Sequence, residues 1–450
     1  MITSFWTLAR VGAVLGHPAL DDRPLSGIST DTRTLAPGAR LLALVGERFD
    51  AHEHRADAVR AGAPALVVHD AARGAGSGVP VLAVDDTLVA LGALARAQRQ
   101  AWGAPVIAIG GSNGKTTTKE LVRAALSAVY EVHATRANHN NQVGVPLTLL
   151  EAPGSVDLQV VEVGTNHPGE IARLRDIAEP DLAVITSVQE EHLEGFGDLA
   201  GVMAEELSLC DGVAIAVVPA TDPAIVAEAT ARARRVLTAG LESGDVRPDA
   251  WGMRADGCAW LQLGERRIDV PAPGVHNAEN TMLALAVARV YGVSDAAFAE
   301  GLARTRLAPM RSAVEALGAA LLLDDAYNAN PASMRAAFAT LAAIAGPRPR
   351  VALLGGMREM GVHADRLHEA LVREALASGI AWLGLTGAAA EAARRVAPDD
   401  PRVIEGPDPA AVWAAMAPRL SPDSAILLKG SRGERMERAR PAILAWAGVA

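Results

Sequence analysis

Two cysteines, Cys210 and Cys258, are all that 450 residues contain. They form neither a metal-spaced cluster nor a disulfide framework, which fits a reducing compartment. No apolar run reaches the roughly 18 residues that a spanning helix needs, so membrane insertion is not expected. The opening MITSFWTLARVGAVLGHPAL lacks a basic leading segment, and Arg10 interrupts its apolar stretch, so it does not read as a secretory signal. An excess of positive charge is missing too. Lys plus Arg total 42 against 52 Asp plus Glu, a formal net charge of −10. That balance argues against a nucleic-acid binder, which would carry a basic field. Internal repeats and low-complexity tails are also absent, and a cytoplasmic chain is expected.

What is present is apolar material in abundance. Half of the chain is hydrophobic, ample for sizeable cores, and the length suggests about three domains. Residues 1–84 carry short apolar runs, Leu41–Val45, Ala65–Val68 and Val79–Val84, separated by polar turns with Gly and Pro. These predict a small α/β domain. A helix with Leu88, Leu91 and Leu94 on one face then leads to a buried-type strand, Val106–Ile109. Further β-like runs at Leu158–Val163, Leu182–Thr186 and Val213–Val218 alternate with helical stretches, predicting a mostly parallel sheet covered on both faces over 85–307. A turn-rich region at Pro271–His276 precedes an Ala/Leu-rich helix, and Thr305–Arg311 reads as a linker. Strand–helix alternation resumes at Ala320–Asp324, Val351–Leu354, Trp382–Leu385 and Ala425–Leu428, a second doubly wound unit over 308–450.

The stretch that carries most chemistry is VIAIGGSNGKTTTKE, Val106–Glu120. The common phosphate-loop pattern has a glycine six residues before its lysine; here that position is Ile109. The context nevertheless suits a phosphate site, because Gly110, Gly111, Ser112, Asn113, Gly114 and Lys115 join a buried strand to a helix start. Small residues let backbone N–H groups approach anionic oxygens, the helix end adds positive potential, and Lys115 neutralises charge. Thr116 can present its hydroxyl to Mg²⁺. Glu162, at the end of a predicted strand, falls where carboxylates of an open α/β sheet face a ligand crevice, and His192 follows another strand at the same edge. The asparagines in NHNNQVGVP, Asn138–Pro146, are equally able to satisfy one another in a plain loop.

Seven stretches in order, GGSNGKTTTK, NHNNQVGVP, EVGTNHPGEI, EHLEGFGDL, PGVHNAENTMLA, DDAYNANPASM and LKGSRGERME, resemble the Mur ligases of peptidoglycan synthesis over essentially the whole chain. Their compressed Gly-x-x-Gly-Lys-Thr spacing is the one at Gly111–Thr116. DDAYNANP and STDTR…GERFDAHEH are the pieces that separate sister ligases.

The resemblance implies three domains: a small UDP-substrate domain over 1–84, a central P-loop ATPase over 85–307 and a C-terminal Rossmann-like domain over 308–450 that carries the acceptor site. It implies an ATP- and Mg²⁺-dependent amide ligase, expected as a monomer, joining D-Ala-D-Ala to a UDP-N-acetylmuramoyl tripeptide. By motif matching, Lys115 and its loop would hold ATP phosphates, Thr116 and Glu162 one Mg²⁺, and His192 a second metal. Asn277 and Asn280 would contact adenine; Arg311 and Asp325 would lie near the ribose and phosphates. Tyr327, Asn328 and Asn330 would line the dipeptide site. Ser29, Thr30, Asp31, Thr32 and Arg33 would hold the uridine diphosphate, and Asn138, Asn140 and Asn141 would face the muramoyl peptide. Rival readings are a ligase of the same type adding a single amino acid, as folylpolyglutamate enzymes do, and a non-catalytic nucleotide-binding relative.

Three positions depart from the pattern. Glu206 stands where most of the family carries a lysine modified to a carbamate, which serves the second Mg²⁺. A glutamate already has that charge on a side chain shorter by about 4 Å, and it is expected to replace the carbamate. Gly110 stands for a threonine and Gly356 for an aspartate.

Overall fold

A computed structural model describes residues 5–17, 20–33, 38–46 and 49–449. Glu47 and Arg48 of the GERFD segment lie outside the described residues, as do the first four residues of the chain. The chain forms two compact units, one of Met1–Ala108, Glu131–Val163 and Ala172–Asp181, the other of Ile109–Tyr130, Gly164–Ile171 and Leu182–Ala450.

In the first unit the short apolar runs become a four-stranded sheet of Gly27–Ser29, Ala39–Leu42, Leu66–Val68 and Val81–Ala83, in that spatial order and all parallel. Leu66, Val67 and Val68 are buried in succession, as a strand covered on both faces requires. The apolar start forms a helix, Leu8–Val14, whose Leu8 and Val11 pack with Trp6, Leu91 and Leu94. The helix Thr87–Trp102 begins where the Asp86 side chain accepts from the N–H groups of Leu88 and Val89, and ends at Gly103 with φ 69°, an N-cap and left-handed C-cap of the ordinary kind. Leu158–Glu162 pairs in parallel with Val132–Ala134, a short strand that the sequence pattern does not reveal.

In the second unit Leu182–Ile185, Ile215–Pro219 and Val236–Ala239 run parallel. Two expectations change. Pro271–Pro273, read as part of a turn, closes the strand Arg266–Pro273 of an antiparallel sheet with Cys258–Leu263 and Ala250–Met253. That strand lies at the sheet's edge, where a proline costs no interior ladder bond. The C-terminal sheet also gains Ala313–Leu317, antiparallel to Ala320–Asp325 and mostly exposed. The remaining order is Ala320–Asp325, Ala425–Lys429, Arg350–Leu354, Trp382–Leu385 and Val403–Glu405, all parallel. Between the helix Asp295–Ala303 and Ala313–Leu317 the expected linker has no regular structure, and Met310 and Ser312 take φ of 59° and 50°.

Trp413 is 2 % exposed in the C-terminal core and meets Trp446 edge-on at 5.6 Å between ring centres. Trp413→Ala should cost about 3–5 kcal/mol, read as a lower urea midpoint with unchanged far-UV signal in the cold.

In the first unit Asp50 accepts from the His52 backbone N–H at 3.0 Å, meets the His52 ring at 2.6 Å and pairs with Arg73. Burial alone would raise the Asp50 pKa, but these donors outweigh it and hold it at about 2. The folded value lies below the unfolded one, near 3.9, so this contribution is present above pH of about 4 and fades as pH falls toward 2. Asp50→Asn should flatten that part of the acid-unfolding curve; an identical curve in the variant would refute the assignment.

Candidate active site

The strand Val106–Gly110 is buried along its length and feeds the helix Lys115–Leu126 through four small residues. The turn is fixed by sterics. Gly111 has φ 113°, and a Cβ there would stand 2.4 Å from Thr186 Oγ1. Gly114, at φ 88°, would place a Cβ 2.6 Å from Asn280 Oδ1. No L-side chain fits either position without displacing backbone or buried polar groups.

Hydrogen bonds then tie the loop to the 186–189 segment. Thr186 donates its N–H and its hydroxyl to the Gly110 carbonyl, at 3.0 and 3.1 Å. Ser112 N–H donates to the Ser187 carbonyl at 2.8 Å, and Asn113 N–H to Ser187 Oγ at 3.1 Å. Lys115 Nζ donates to the carbonyls of Gly111 and Ser112, and the buried Thr116 hydroxyl sits in the first helical turn. Helix starts carry N–H groups without intrahelical acceptors and attract anions.

Beside this loop opens a cavity of about 230 Å³, lined among others by Asn113, Gly114, Asn277, Asn280, Arg311 and Asp325. Tyr327 and Asn328 line it too, so residues separated by more than two hundred positions meet in one space. Asn277 donates to the Pro273 carbonyl at 2.7 Å, and Asn280 donates to Asn277 Oδ1 at 3.3 Å. The Arg311 guanidinium stacks on the Tyr327 ring, 3.9 Å from its centre, a cation–π geometry. Asn330 caps the helix Pro331–Ala345 through its bond from Ser333 N–H. It also exchanges amide hydrogen bonds with Asn113, at 3.2 and 3.0 Å.

Lys429 also lines this cavity, and its sequence motif alone does not reveal its part there. It is 2 % exposed, donates to Asp325 Oδ2 at 2.5 Å and to the Asn328 carbonyl at 2.9 Å. A signal for it exists. The chain has only three lysines, Lys115, Lys119 and Lys429, among 42 basic residues. A lysine in an arginine-dominated chain marks a place where a compact ammonium is needed instead of a planar fork.

Near Lys115 lies an acidic group of side chains. His192, itself left-handed at φ 48°, bonds through Nδ1 to Glu359, which has φ 63°. Burial opposes charge on His192, but Glu359 and Glu191 outweigh it and raise its pKa. Burial raises Glu191 as well. Glu206 is 1 % exposed, and burial, reinforced by Glu191, pushes its carboxyl up to about 7 against the pull of Lys115 and the Gly111 N–H. Glu206 Oε2 accepts from that N–H at 2.7 Å.

In the other unit, Glu162 is buried at the end of Leu158–Glu162 and accepts from Asn140 Nδ2 at 2.9 Å. Asn141 accepts from the N–H groups of Val143 and Gly144, a helix-starting role, while Asn138 is exposed. Ser29, Asp31 and Arg33 bond among themselves: Ser29 Oγ donates to the Asp31 carbonyl at 2.8 Å, and Arg33 pairs with Asp31 at 2.6 Å. Thr30 and Thr32 flank them, half-buried.

Oxygen donors dominate these groups, which is the chemistry of a hard cation such as Mg²⁺. Among the described residues no cluster of three or more His, Cys, Asp or Glu side chains has the arrangement of a metal cage. A coordination sphere completed by phosphate oxygens is the one that such a donor set fits.

Residues 24–99, 109–288 and 310–432 match the family models "Mur ligase family, catalytic domain", "Mur ligase middle domain" and "Mur ligase, glutamate ligase domain". The UDP-N-acetylmuramoyl-tripeptide–D-alanyl-D-alanine ligase of Bacillus subtilis (strain 168) is 32% identical, with 95% of each chain covered. A crystal structure of MurF from Acinetobacter baumannii superposes with a TM-score of 0.89 at 29% identity, covering 98% of this chain and 99% of that one. MurF from Thermotoga maritima in complex with ADP gives 0.83 at 25% identity, over 94% and 98%.

Removing Lys429 would strand the Asp325 carboxylate. Lys429→Met should cost about 3–5 kcal/mol in chemical denaturation, and adding Asp325→Asn should restore part of that loss; strictly additive costs would refute a direct pairing.

Proposed function

The chain belongs to the Mur ligase family, and on that premise we propose that it is an ATP-dependent amide ligase joining D-Ala-D-Ala to the terminal carboxylate of a UDP-N-acetylmuramoyl tripeptide. The observation that carries the reading is the loop Gly110–Lys115 beside a cavity lined by Asn277, Asn280, Arg311, Asp325 and Tyr327, in a chain similar to that ligase along nearly all of its length. A cytoplasmic location and three functional regions, divided near residues 84 and 307, belong to the same reading.

A carboxylate resists attack by an amine because oxide would have to leave. Transfer of the γ-phosphoryl group of ATP to a carboxylate oxygen gives an acyl phosphate and ADP. The dipeptide amine then adds to the acyl carbon, and the tetrahedral adduct collapses to the amide, expelling inorganic phosphate. An α-amino group has an ordinary pKa near 8, so a useful fraction is neutral without a strong base. The protein's share is positioning and charge neutralisation.

Lys115 would turn from the loop carbonyls to the phosphates, with the helix start beneath them. Asn277 and Asn280 would meet the adenine, Arg311 and Asp325 the ribose and phosphates. Tyr327, Asn328 and Asn330 would receive the dipeptide. Thr116 and His192 would serve as Mg²⁺ ligands, as would Glu162 at its strand end. When bound, Mg²⁺ supplies charge compensation for the phosphates. Ser29, Thr30, Asp31, Thr32 and Arg33 would take the uridine diphosphate, and Asn138, Asn140 and Asn141 the muramoyl peptide.

The test is phosphate release measured across diaminopimelate- and lysine-containing tripeptides, with D-Ala-D-Ala varied against D-Ala and L-amino acids. Release should require both UDP-tripeptide and D-Ala-D-Ala, and Lys115→Ala should lower kcat by about 10²–10³-fold. Nucleotide hydrolysis indifferent to the dipeptide would refute the assignment. With Glu206 standing where a carbamate would be, stripping CO₂ should leave turnover unchanged; loss of turnover that bicarbonate restores would show a modified lysine elsewhere.

A further inference from the structure

The peptide plane between Gly110 and Gly111 is gripped on both sides. Its carbonyl takes two hydrogen bonds from Thr186, and its N–H gives one to Glu206 Oε2 at 2.7 Å. Glu206 reaches this N–H from the last turn of the helix Leu199–Leu207. Its neighbour Glu205 does parallel work, accepting from the N–H groups of Gly169 and Ile171 at 2.8 and 2.9 Å. Two successive buried carboxylates thus serve as acceptors for backbone N–H groups of separate loops.

The space around Gly110 fits the same arrangement. A Cβ at that residue would lie 3.2 Å from Glu206 Oε2 and 2.9 Å from Leu209 Cδ2. Gly110 is absent from the left-handed residues of the chain, so its backbone does not demand glycine. The crowding by Glu206 and Leu209 does. Two residues far apart in sequence are therefore matched: the carboxylate fills the volume that a side chain at 110 would take, and its oxygen uses the N–H that the strand end leaves over.

We propose that Glu206 is a positioning residue for the phosphate loop, a buried hydrogen-bond acceptor that sets the Gly110–Gly111 peptide and through it the presentation of Lys115, and that Gly110 is its steric counterpart. Glu206 acts on the loop; no contact with substrate is required of it. This rests on the reading of Gly110–Lys115 as the ATP site. A carboxylate accepting a buried N–H makes a charge-assisted bond, stronger than a neutral one, and deleting the acceptor leaves the N–H buried and unmatched.

The experiment measures binding of a fluorescent ATP analogue, and kcat and KM for ATP, across four variants of the full chain. Glu206→Ala should weaken nucleotide binding by about ten-fold or more. Glu206→Gln, whose amide oxygen can still accept, should recover most of that loss. Gly110→Ala should reproduce the Glu206→Ala defect, and adding Leu209→Ala to it, which removes the 2.9 Å contact and leaves the 3.2 Å one to Glu206 Oε2, should restore binding only in part.

A Glu206→Ala protein that melts lower but binds nucleotide as the wild type does would reduce Glu206 to a structural role and overturn the proposal. So would Glu206→Gln as defective as Glu206→Ala, or full rescue of Gly110→Ala by Leu209→Ala. Should Glu206→Ala fail to fold, the Gln and Gly110 variants decide by themselves. Wild-type protein that binds no nucleotide would instead refute the ATP site, a failure visible before any variant is compared.

Discussion

The turn between Gly110 and Lys115 is the constraint on which the rest of the candidate site depends. A buried strand must end and give way to a helix within four residues, and the backbone polar groups released there need hydrogen-bond partners. Ser187 and Glu206 accept from the N–H groups of Ser112, Asn113 and Gly111, and Thr186 donates to the Gly110 carbonyl. With these bonds made, the helix Lys115–Leu126 starts in one place, and the lysine and threonine at its head have fixed origins. Loosening any of the three would displace charge relative to an anion, and electrostatic catalysis depends on such charges being placed before the reaction begins.

Left-handed residues also occur beside this turn. Gly111 and Gly114 are left-handed, as are the non-glycine residues His192 and Glu359, which bond to each other. Left-handed non-glycine residues cost energy and persist where surrounding contacts over-determine them. The 190–197 and 359–366 segments supply such contacts: Glu194 N–H donates to the Glu359 carbonyl at 3.0 Å, Arg366 pairs with Glu190, and the His363 ring meets the Gly197 carbonyl.

Charge inside the second unit is arranged in two ways. Lys429 is buried and pairs with the partly exposed Asp325, and backbone groups take up further hydrogen-bonding capacity of both, the condition under which such a pair is tolerated. Glu191 and Glu206 are instead buried carboxylates near one another, and burial raises both. Lys115 offsets part of that cost. An anionic ligand drawing Lys115 toward itself would therefore act on the carboxylates as well.

The sequence by itself determined the order of strands and helices wherever a buried strand reads as an uninterrupted apolar run, as at Val106–Ile109 or Ala425–Leu428. It also determined the family, because seven motifs in order are more specific than any one of them. Strands of three or four residues, such as Val132–Ala134, and the edge strand ending in Pro271–Pro273 carried too little pattern to be read locally. Only the tertiary structure decided which motif residues share a cavity, since Asn277, Arg311, Tyr327 and Lys429 meet through packing and not through spacing. It alone decided what Glu206 touches. A glutamate's reach and partner depend on where its helix is docked, and docking is set by the whole core, which no local stretch of sequence encodes.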